Sequence, residues 1–297
     1  MITYVKGTIF ASPAQVLVNT VNTEGVMGKG LALRFKQIYP EMFLRYQELC
    51  ESHQIKIGKL WLFKTDHKWI LNFPTKNSWR QPSRLDYLEA GLKKFSEEFI
   101  DLKIHSVAFP ALGCGNGELD WNEVRPMMES YLSGLPISVF IHPPQTENSF
   151  PEHRTSKEVA EWLRSEPRTL AFSEVWRDLK LLLAEHTTFT TGSREFKAHI
   201  EENISDRVLV ATTEDRPYRI SYEELRETWA GFRSLGYLRR GFVTARVEKY
   251  LYYLIPILAE LPYVETVVLG EKGSKRTYTG LQYLATSDRI DQPLLFA

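Results

Sequence analysis

Three segments of this sequence carry residue types and spacings suited to chemistry on an anionic ligand. In NTVNTEGVMGKGLALRF, residues 19–35, an apolar strand runs into Gly25, Gly28 and Gly30 and then into a helical pattern. Glycine lets the backbone turn sharply and approach a ligand closely, and the start of the following helix offers unpaired N–H groups to an anion. The segment reads as a phosphate cradle, although a plain strand-to-helix turn uses the same residues. It is neither the GxxxxGK[ST] loop nor the GxGxxG dinucleotide fingerprint. In ALGCGNGELDW, residues 111–121, Gly113, Gly115 and Gly117 follow a second apolar strand and precede a second helix. Two such loops at neighbouring strand ends can clamp a diphosphate through backbone donors, with no need for Lys or Arg. In NFPTKNSWRQPS, residues 72–83, a strand emerges into a polar loop holding Lys76 and Arg80. A lysine at a strand end is commonly a solvated surface residue. Beside an anionic ligand it can instead donate to an oxygen or, as a free amine, attack an electrophilic sugar carbon. Cys114 reads as a small apolar filler, since no His lies nearby in sequence to activate it.

The elements that must position these loops follow from the hydrophobic pattern. ITYVKG, AQVLVNT, LWLF, WILNF, SVAFPAL and ISVFIHP are short runs rich in β-branched and aromatic residues, each bounded by Gly, Pro, Asn or Ser. Between them lie helical patterns over 31–38, 42–50 and 121–132, with Pro40 as a boundary. In LDYLEAGLKKFSEEFI, the residues Leu85, Leu88, Leu92, Phe95 and Phe99 recur at three- and four-residue spacing. Strands alternating with helices imply an α/β fold with a sheet covered on both faces.

The whole chain has 297 residues, above the usual span of one core, which sets an expectation of about two domains. Lys plus Arg and Asp plus Glu both number 37, so there is no bulk basic field to hold a nucleic-acid duplex. Cys50 and Cys114 are the only cysteines, too few for a disulfide framework or a metal cluster, and no metal or cofactor is expected. No apolar run approaches membrane-spanning length and no signal core follows the first residues, so the expected location is cytoplasmic, with no membrane partner. PPQTENSFPEHRTS, residues 143–156, lacks periodicity and reads as a linker. The expected division is a first domain over 1–145, a linker with a short helix over 146–168, and an α+β domain over 169–297.

Together the three segments resemble the macrodomain family, and VNTVNTEGVMGKGLALRFK, NFPTKNSWR and ALGCGNGELDW are most similar to its DNA ADP-ribosyl glycohydrolases. The resemblance covers about residues 1–142. It implies a three-layer α/β/α fold with a mixed central sheet, and binding of ADP-ribose between the two glycine loops. It implies an N-glycosidic hydrolase that removes ADP-ribose from thymine in single-stranded DNA, as the antitoxin of a toxin–antitoxin pair. Residue by residue, it assigns Lys76 as the catalytic lysine and Asn22 to the distal ribose. It assigns Met27, Gly28, Lys29, Gly30 and Leu31 to the first phosphate loop, and Gly113, Cys114, Gly115, Asn116 and Gly117 to the second. Two departures stand out: Thr8 follows Gly7 where many macrodomains place an acidic residue against the adenine amino group, and Gly117 stands where protein-directed relatives have an aspartate. Rival readings are a hydrolase of ADP-ribosyl-protein or O-acetyl-ADP-ribose, and a non-catalytic ADP-ribose reader.

The second half offers helices over 158–164 and 173–185, a strand VLVATT, a helix in SYEELRETWAGFRSLG, and a long helix in RVEKYLYYLIPILAELP kinked at Pro256. VETVVLGEKGSKRTYTGLQYL reads as a hairpin turning at EKGSK. Helix, helix and hairpin in that order suit a winged-helix-like module. Arg239, Arg240 and Arg246 read as a solvated face and Tyr250 to Tyr253 as core. With 21 basic and 22 acidic residues over 151–297, this half is expected to bind a protein, a cognate ADP-ribosyltransferase toxin, rather than DNA. Trp229, Phe232, Arg233 and Tyr237 are of types favoured at interfaces and equally suited to a core.

Overall fold

In a computed structural model the six apolar runs form six strands: β1 (Ile2–Tyr4), β2 (Val16–Asn22), β3 (Trp61–Lys64), β4 (Trp69–Lys76), β5 (Ser106–Pro110) and β6 (Ser138–His142). The structure describes residues 1–144, 156–204, 206–213, 216–241, 243–270 and 277–284. They divide into two compact units, Met1–Ala160 and Glu161–Ala297.

The sheet of the first unit has the order β1-β6-β5-β2-β4-β3, parallel throughout except for the antiparallel edge strand β3. The mixed sheet follows from connection length, because a short turn joins β3 to β4 whereas every parallel pair needs a crossover. The crossovers are α1 (Gly30–Ile38) and α2 (Pro40–Glu51) on one face, and α3 (Leu85–Glu98) and α4 (Trp121–Leu132) on the other. Pro40 is not a spacer between helices but the first residue of α2, where its missing N–H costs nothing.

Alternation along β2 sorts the core. Val16 and Val18 pack with Leu88, Leu92 and Phe95 of α3, and Leu17 and Val21 with Phe35, Met42 and Tyr46 of the α1–α2 layer. With both faces of the central strands buried, polar chemistry is confined to strand ends. The exception is an amide pair in mid-sheet, Asn19 Nδ2 to Asn72 Oδ1 at 3.0 Å, on residues directly opposite in the β2–β4 register.

In the second unit, helix α5 (Ser156–Ser165) spans the division, and α6 (Phe172–Glu185) follows. A four-stranded antiparallel sheet orders β10 (Pro217–Ser221), β9 (Arg207–Thr212), β8 (Arg194–Glu202) and β7 (Thr188–Thr191). Next come α7 (Tyr222–Leu235), β11 (Tyr237–Leu238), α8 (Ala245–Glu248), α9 (Leu251–Ala259), β12 (Val264–Gly270) and β13 (Thr277–Tyr283). The last three strands form an antiparallel sheet in the order β11-β13-β12, which with its helices has winged-helix connectivity. Helix α7 is bounded as its sequence dictates, by a Ser221–Glu224 capping box and by Gly236 in the left-handed region.

The single kinked helix expected around Pro256 is two helices, α8 and α9, parted at residues 249–250 and not at the proline. Proline cannot donate to the carbonyl four residues back. That carbonyl, of Tyr252, instead accepts from the Thr191 hydroxyl at 3.0 Å, so the proline is accommodated inside α9. The EKGSK turn and most of the expected linker lie outside the described residues.

The placement of β4 depends on Gly91 of α3. A Cβ there would stand 2.2 Å from the Phe73 ring, far inside van der Waals contact, and Phe73 precedes Lys76 by three residues on the same strand. Gly91→Ala should therefore lower stability by about 1–3 kcal/mol through overpacking, a larger effect than the roughly 1 kcal/mol of helix propensity it gains. Urea denaturation of the variant checks this.

Candidate active site

The C-terminal ends of β2, β4, β5 and β6 open on one cleft of about 710 Å³, within the range of small-molecule and cofactor sites. Asn22, Lys29, Gly30, Leu31, Lys76, Gly113, Cys114, Gly115, Asn116 and Gly117 all line it. Met27 and Gly28 lie outside the lining, and the Met27 side chain, 1% exposed, is packed in the α1–α2 core.

The first loop is shaped from within. Asn22 donates through Nδ2 to the Val26 carbonyl at 2.6 Å, and its Oδ1 accepts from the N–H groups of Glu24 and Val26 at 3.0 and 3.3 Å. The amide expected to face a ribose is thus also the staple that folds residues 22–26. Helix α1 then begins at Gly30, φ 58°, with no side-chain cap on its first turn. Its start, with Leu31 and Ala32, faces the cleft, so backbone N–H groups are presented where an anion can take them.

In the second loop, Gly113 has φ 68° and Glu118 φ 61°. The loop is closed by Leu119 N–H to the Gly113 carbonyl at 3.0 Å and Ser83 N–H to the Gly117 carbonyl at 2.9 Å. The three glycines differ in what they require. A Cβ on Gly117 would lie 2.3 Å from Ser83 Oγ and 2.4 Å from the Gly113 carbonyl oxygen, whereas one on Gly115 would meet nothing within 4 Å. The loops also meet each other, since a Cβ on Gly30 would stand 2.6 Å from Asn116 Nδ2.

Lys76 ends β4 and is 6% exposed. Its Nζ donates to the Asn116 carbonyl at 2.7 Å, which brings the amine of the third segment onto the second loop. The turn after it is pinned to the first loop: Thr23 Oγ1 donates to the Asn77 carbonyl at 2.9 Å, and the Glu24 carboxylate accepts from Ser78 Oγ at 2.9 Å and from Trp79 N–H at 3.3 Å. Arg80 does not line the cleft; its guanidinium stacks 4.0 Å over the fully buried Trp79 ring. Burial, and then the Asp120 charge, push the Cys114 thiol up to about 12, so it is not a thiolate at neutral pH. Burial likewise raises Cys50. No cluster of His, Cys, Asp and Glu among the described residues can hold a metal ion, and no described helix is long and apolar enough to cross a membrane.

The sequence reading missed Ser83 beneath the second loop and His142 at the far end of the cleft, whereas Thr8, singled out after Gly7, does line it. The rule that ligands bind beyond the carboxyl ends of parallel strands could have found His142, the last residue of β6.

The Macro domain family model matches residues 18–128. Over 149 residues the chain is 46% identical to a DNA ADP-ribosyl glycohydrolase of Mycobacterium tuberculosis, an alignment covering 48% of this chain and 42% of that protein. Over 159 residues it is 38% identical to a DNA ADP-ribosyl transferase-DNA ADP-ribosyl glycohydrolase fusion protein of Thermosipho africanus, covering 47% and 41%. It thus spans less than half the length of these relatives. A solved structure, the macrodomain of Thermus aquaticus DarG, is 41% identical and matches 48% of this chain and 99% of its own, with a TM-score of 0.47.

Gly117→Ala should displace the second loop and weaken ligand binding at least about tenfold, because both atoms it meets are parts of the loop's own frame. Gly115→Ala should change affinity less. Calorimetric titration of both variants with ADP-ribose separates the two positions.

Proposed function

We propose that this chain, which belongs to the macrodomain family through its first unit, is a DNA ADP-ribosyl glycohydrolase cleaving the N-glycosidic bond between ADP-ribose and a nucleobase, thymine in single-stranded DNA. One observation carries the reading: a buried lysine amine sits 2.7 Å from the second glycine loop, in a cleft that both glycine loops line. Backbone donors of the two loops bind the diphosphate, and this fixes the distal ribose beside Lys76. The sequence relatives named as DNA ADP-ribosyl glycohydrolases support the substrate class.

At the ribose C1, Lys76 has two ways to act, and they leave different traces. As a free amine it adds to the opened ribose, the base departs with a proton, and water then releases ADP-ribose from the lysine adduct. As an ammonium it stabilises charge on the departing base while water attacks directly. Trapping with borohydride captures the first and not the second. In either case Lys76→Ala should lose about two or more orders of magnitude in turnover, with ADP-ribose affinity held within about threefold. Release of free ADP-ribose from an ADP-ribosylated single-stranded oligonucleotide, with ADP-ribosylated protein as the parallel substrate, checks this. Wild-type turnover in the variant removes Lys76 from the chemistry, and faster release from protein than from DNA favours the rival substrate.

For the second unit we propose capture of the cognate ADP-ribosyltransferase, the toxin whose modification of DNA the first unit reverses in the cytoplasm. The fusion relative, whose name joins the two activities in one chain, supports such a pairing. The full chain should retain a co-expressed transferase encoded beside it through a wash of about 0.5 M salt, where bonds to phosphate charge are screened. Salt-sensitive retention of single-stranded DNA by this unit, without the transferase, makes it a nucleic-acid module instead.

A further inference from the structure

A strand that carries ADP-ribose has to leave the cleft where the scissile bond lies, which under the functional reading above is beside Lys76. Two segments rim the cleft there, and their charges differ. One is the end of the second loop, whose exposed charged residues are Glu118 and Asp120. The other is the loop of residues 77–82, flanked by Lys76 and Ser83, which line the cleft although the loop's own residues do not. Arg80 stands in this loop and Arg84 directly before α3.

Both arginines lie over aromatic rings. The Arg80 guanidinium is 4.0 Å over Trp79, whose ring is fully buried and whose backbone N–H is bonded to the Glu24 carboxylate at 3.3 Å. The Arg84 guanidinium is 5.1 Å over Tyr87, and the Tyr87 hydroxyl accepts from Asn77 Nδ2 at 2.9 Å. Since Asn77 follows Lys76 directly, that bond ties the second arginine to the residue after the amine. A guanidinium laid on a ring is ordered in advance, and its planar fork matches the oxygens of a phosphate. Two carboxylates lie near. Glu24 is taken up by Ser78 and Trp79. Asp86 pairs with Arg84 at 2.9 Å, with both side chains more than half exposed, and such pairs are weak and screened by salt.

We propose that Arg80 and Arg84 bind backbone phosphates of the single-stranded DNA that carries the modified base, which makes this rim the docking surface for the strand beside the scissile bond. The inference rests on the functional reading above and deepens it. With 37 basic and 37 acidic residues the chain has no bulk field to gather DNA, so a preference for a strand over a lone nucleoside must come from cations placed locally. The acidic rim across the amine turns the strand toward the two arginines.

The test follows release of ADP-ribose by the full chain from ADP-ribosylated thymidine, and from the same nucleoside within a single-stranded oligonucleotide of about ten nucleotides. At about 50 mM salt the wild type should show a kcat/KM at least about tenfold higher on the oligonucleotide, through KM, and the advantage should shrink as salt rises. In the double variant Arg80→Gln, Arg84→Gln the advantage should fall to within about threefold, and the salt slope should flatten by about 0.7 for each arginine removed. Turnover of the nucleoside should stay within about twofold, because neither side chain lines the cleft. Equal turnover of the two substrates by the wild type at low salt, or an advantage that survives both substitutions, overturns the surface and leaves the glycohydrolase reading intact. If replacing Arg80 also slows the nucleoside, by loosening the turn at Trp79, Arg84→Gln alone decides. A flatter salt slope with intact nucleoside turnover then supports the surface, and an unchanged slope overturns it. Release of ADP-ribose from neither substrate overturns both.

Discussion

A hydrogen bond from Lys76 Nζ to the Asn116 carbonyl, 2.7 Å long, joins positions 40 residues apart and ties the end of β4 to the second glycine loop. It can form only because β4 and β5 lie on either side of β2 in one parallel sheet, so that the segments leaving them emerge on the same edge. The sheet is fixed in turn by burial on both faces, which confines the polar side chains of β2 and β4 to their C-terminal ends except for the Asn19–Asn72 pair. That pair discourages slippage, since moving β2 by one residue against β4 would bury two amides without each other. Core packing, register and the position of the amine are therefore one constraint seen at three scales.

The loops are rigid for local reasons. Asn22 closes the first loop on itself, Glu24 binds the turn after Lys76, and the Ser83 N–H holds Gly117. A side chain carrying catalytic chemistry is most effective when its supports are locked by packing and hydrogen bonds. Here those supports come from all three sequence segments. Each reaches across to another segment, as Thr23 does to Asn77 and Gly30 to the Asn116 side chain.

The strands of the first unit were legible in the sequence because β-branched and aromatic runs between turn residues admit few other structures, and the amine at a strand end was legible beside two glycine loops. What escaped was whatever depends on partners far along the chain. Nothing in GVMGKG says that Met27 turns into the core while its neighbours face the cleft. A lone histidine at a strand end looks like any other until the Gly7 carbonyl is placed beside its ring. In the second unit REFKAHIEE carries a charge at nearly every other position and buries only Phe196 and Ala198, so its alternation is too weakly apolar to announce β8. The break between α8 and α9 was hidden for the opposite reason. Pro256 looked like a kink in one long helix, but the Thr191 hydroxyl, more than 60 residues upstream, satisfies the carbonyl that the proline leaves.

With acidic and basic residues equal in number, the chain offers no bulk field to draw in a dianionic ligand, so the attraction must be local to the cleft. Backbone N–H groups at the start of α1 and in the second loop meet that condition, since they are fixed in place by the fold and carry no counter-charge that must be neutralised. The arrangement has a chemical consequence. Under the proposed function, a lysine recruited to hold phosphate would be committed as a cation and kept away from the sugar, whereas phosphate recognition by the loops leaves Lys76 for the sugar. Lys76 is bonded to a neutral carbonyl, and its contact with the second loop places the amine beside the atoms that the loop positions. Under the proposed function, a division between backbone for affinity and side chain for chemistry would let Lys76 be removed with loss of rate and little loss of binding.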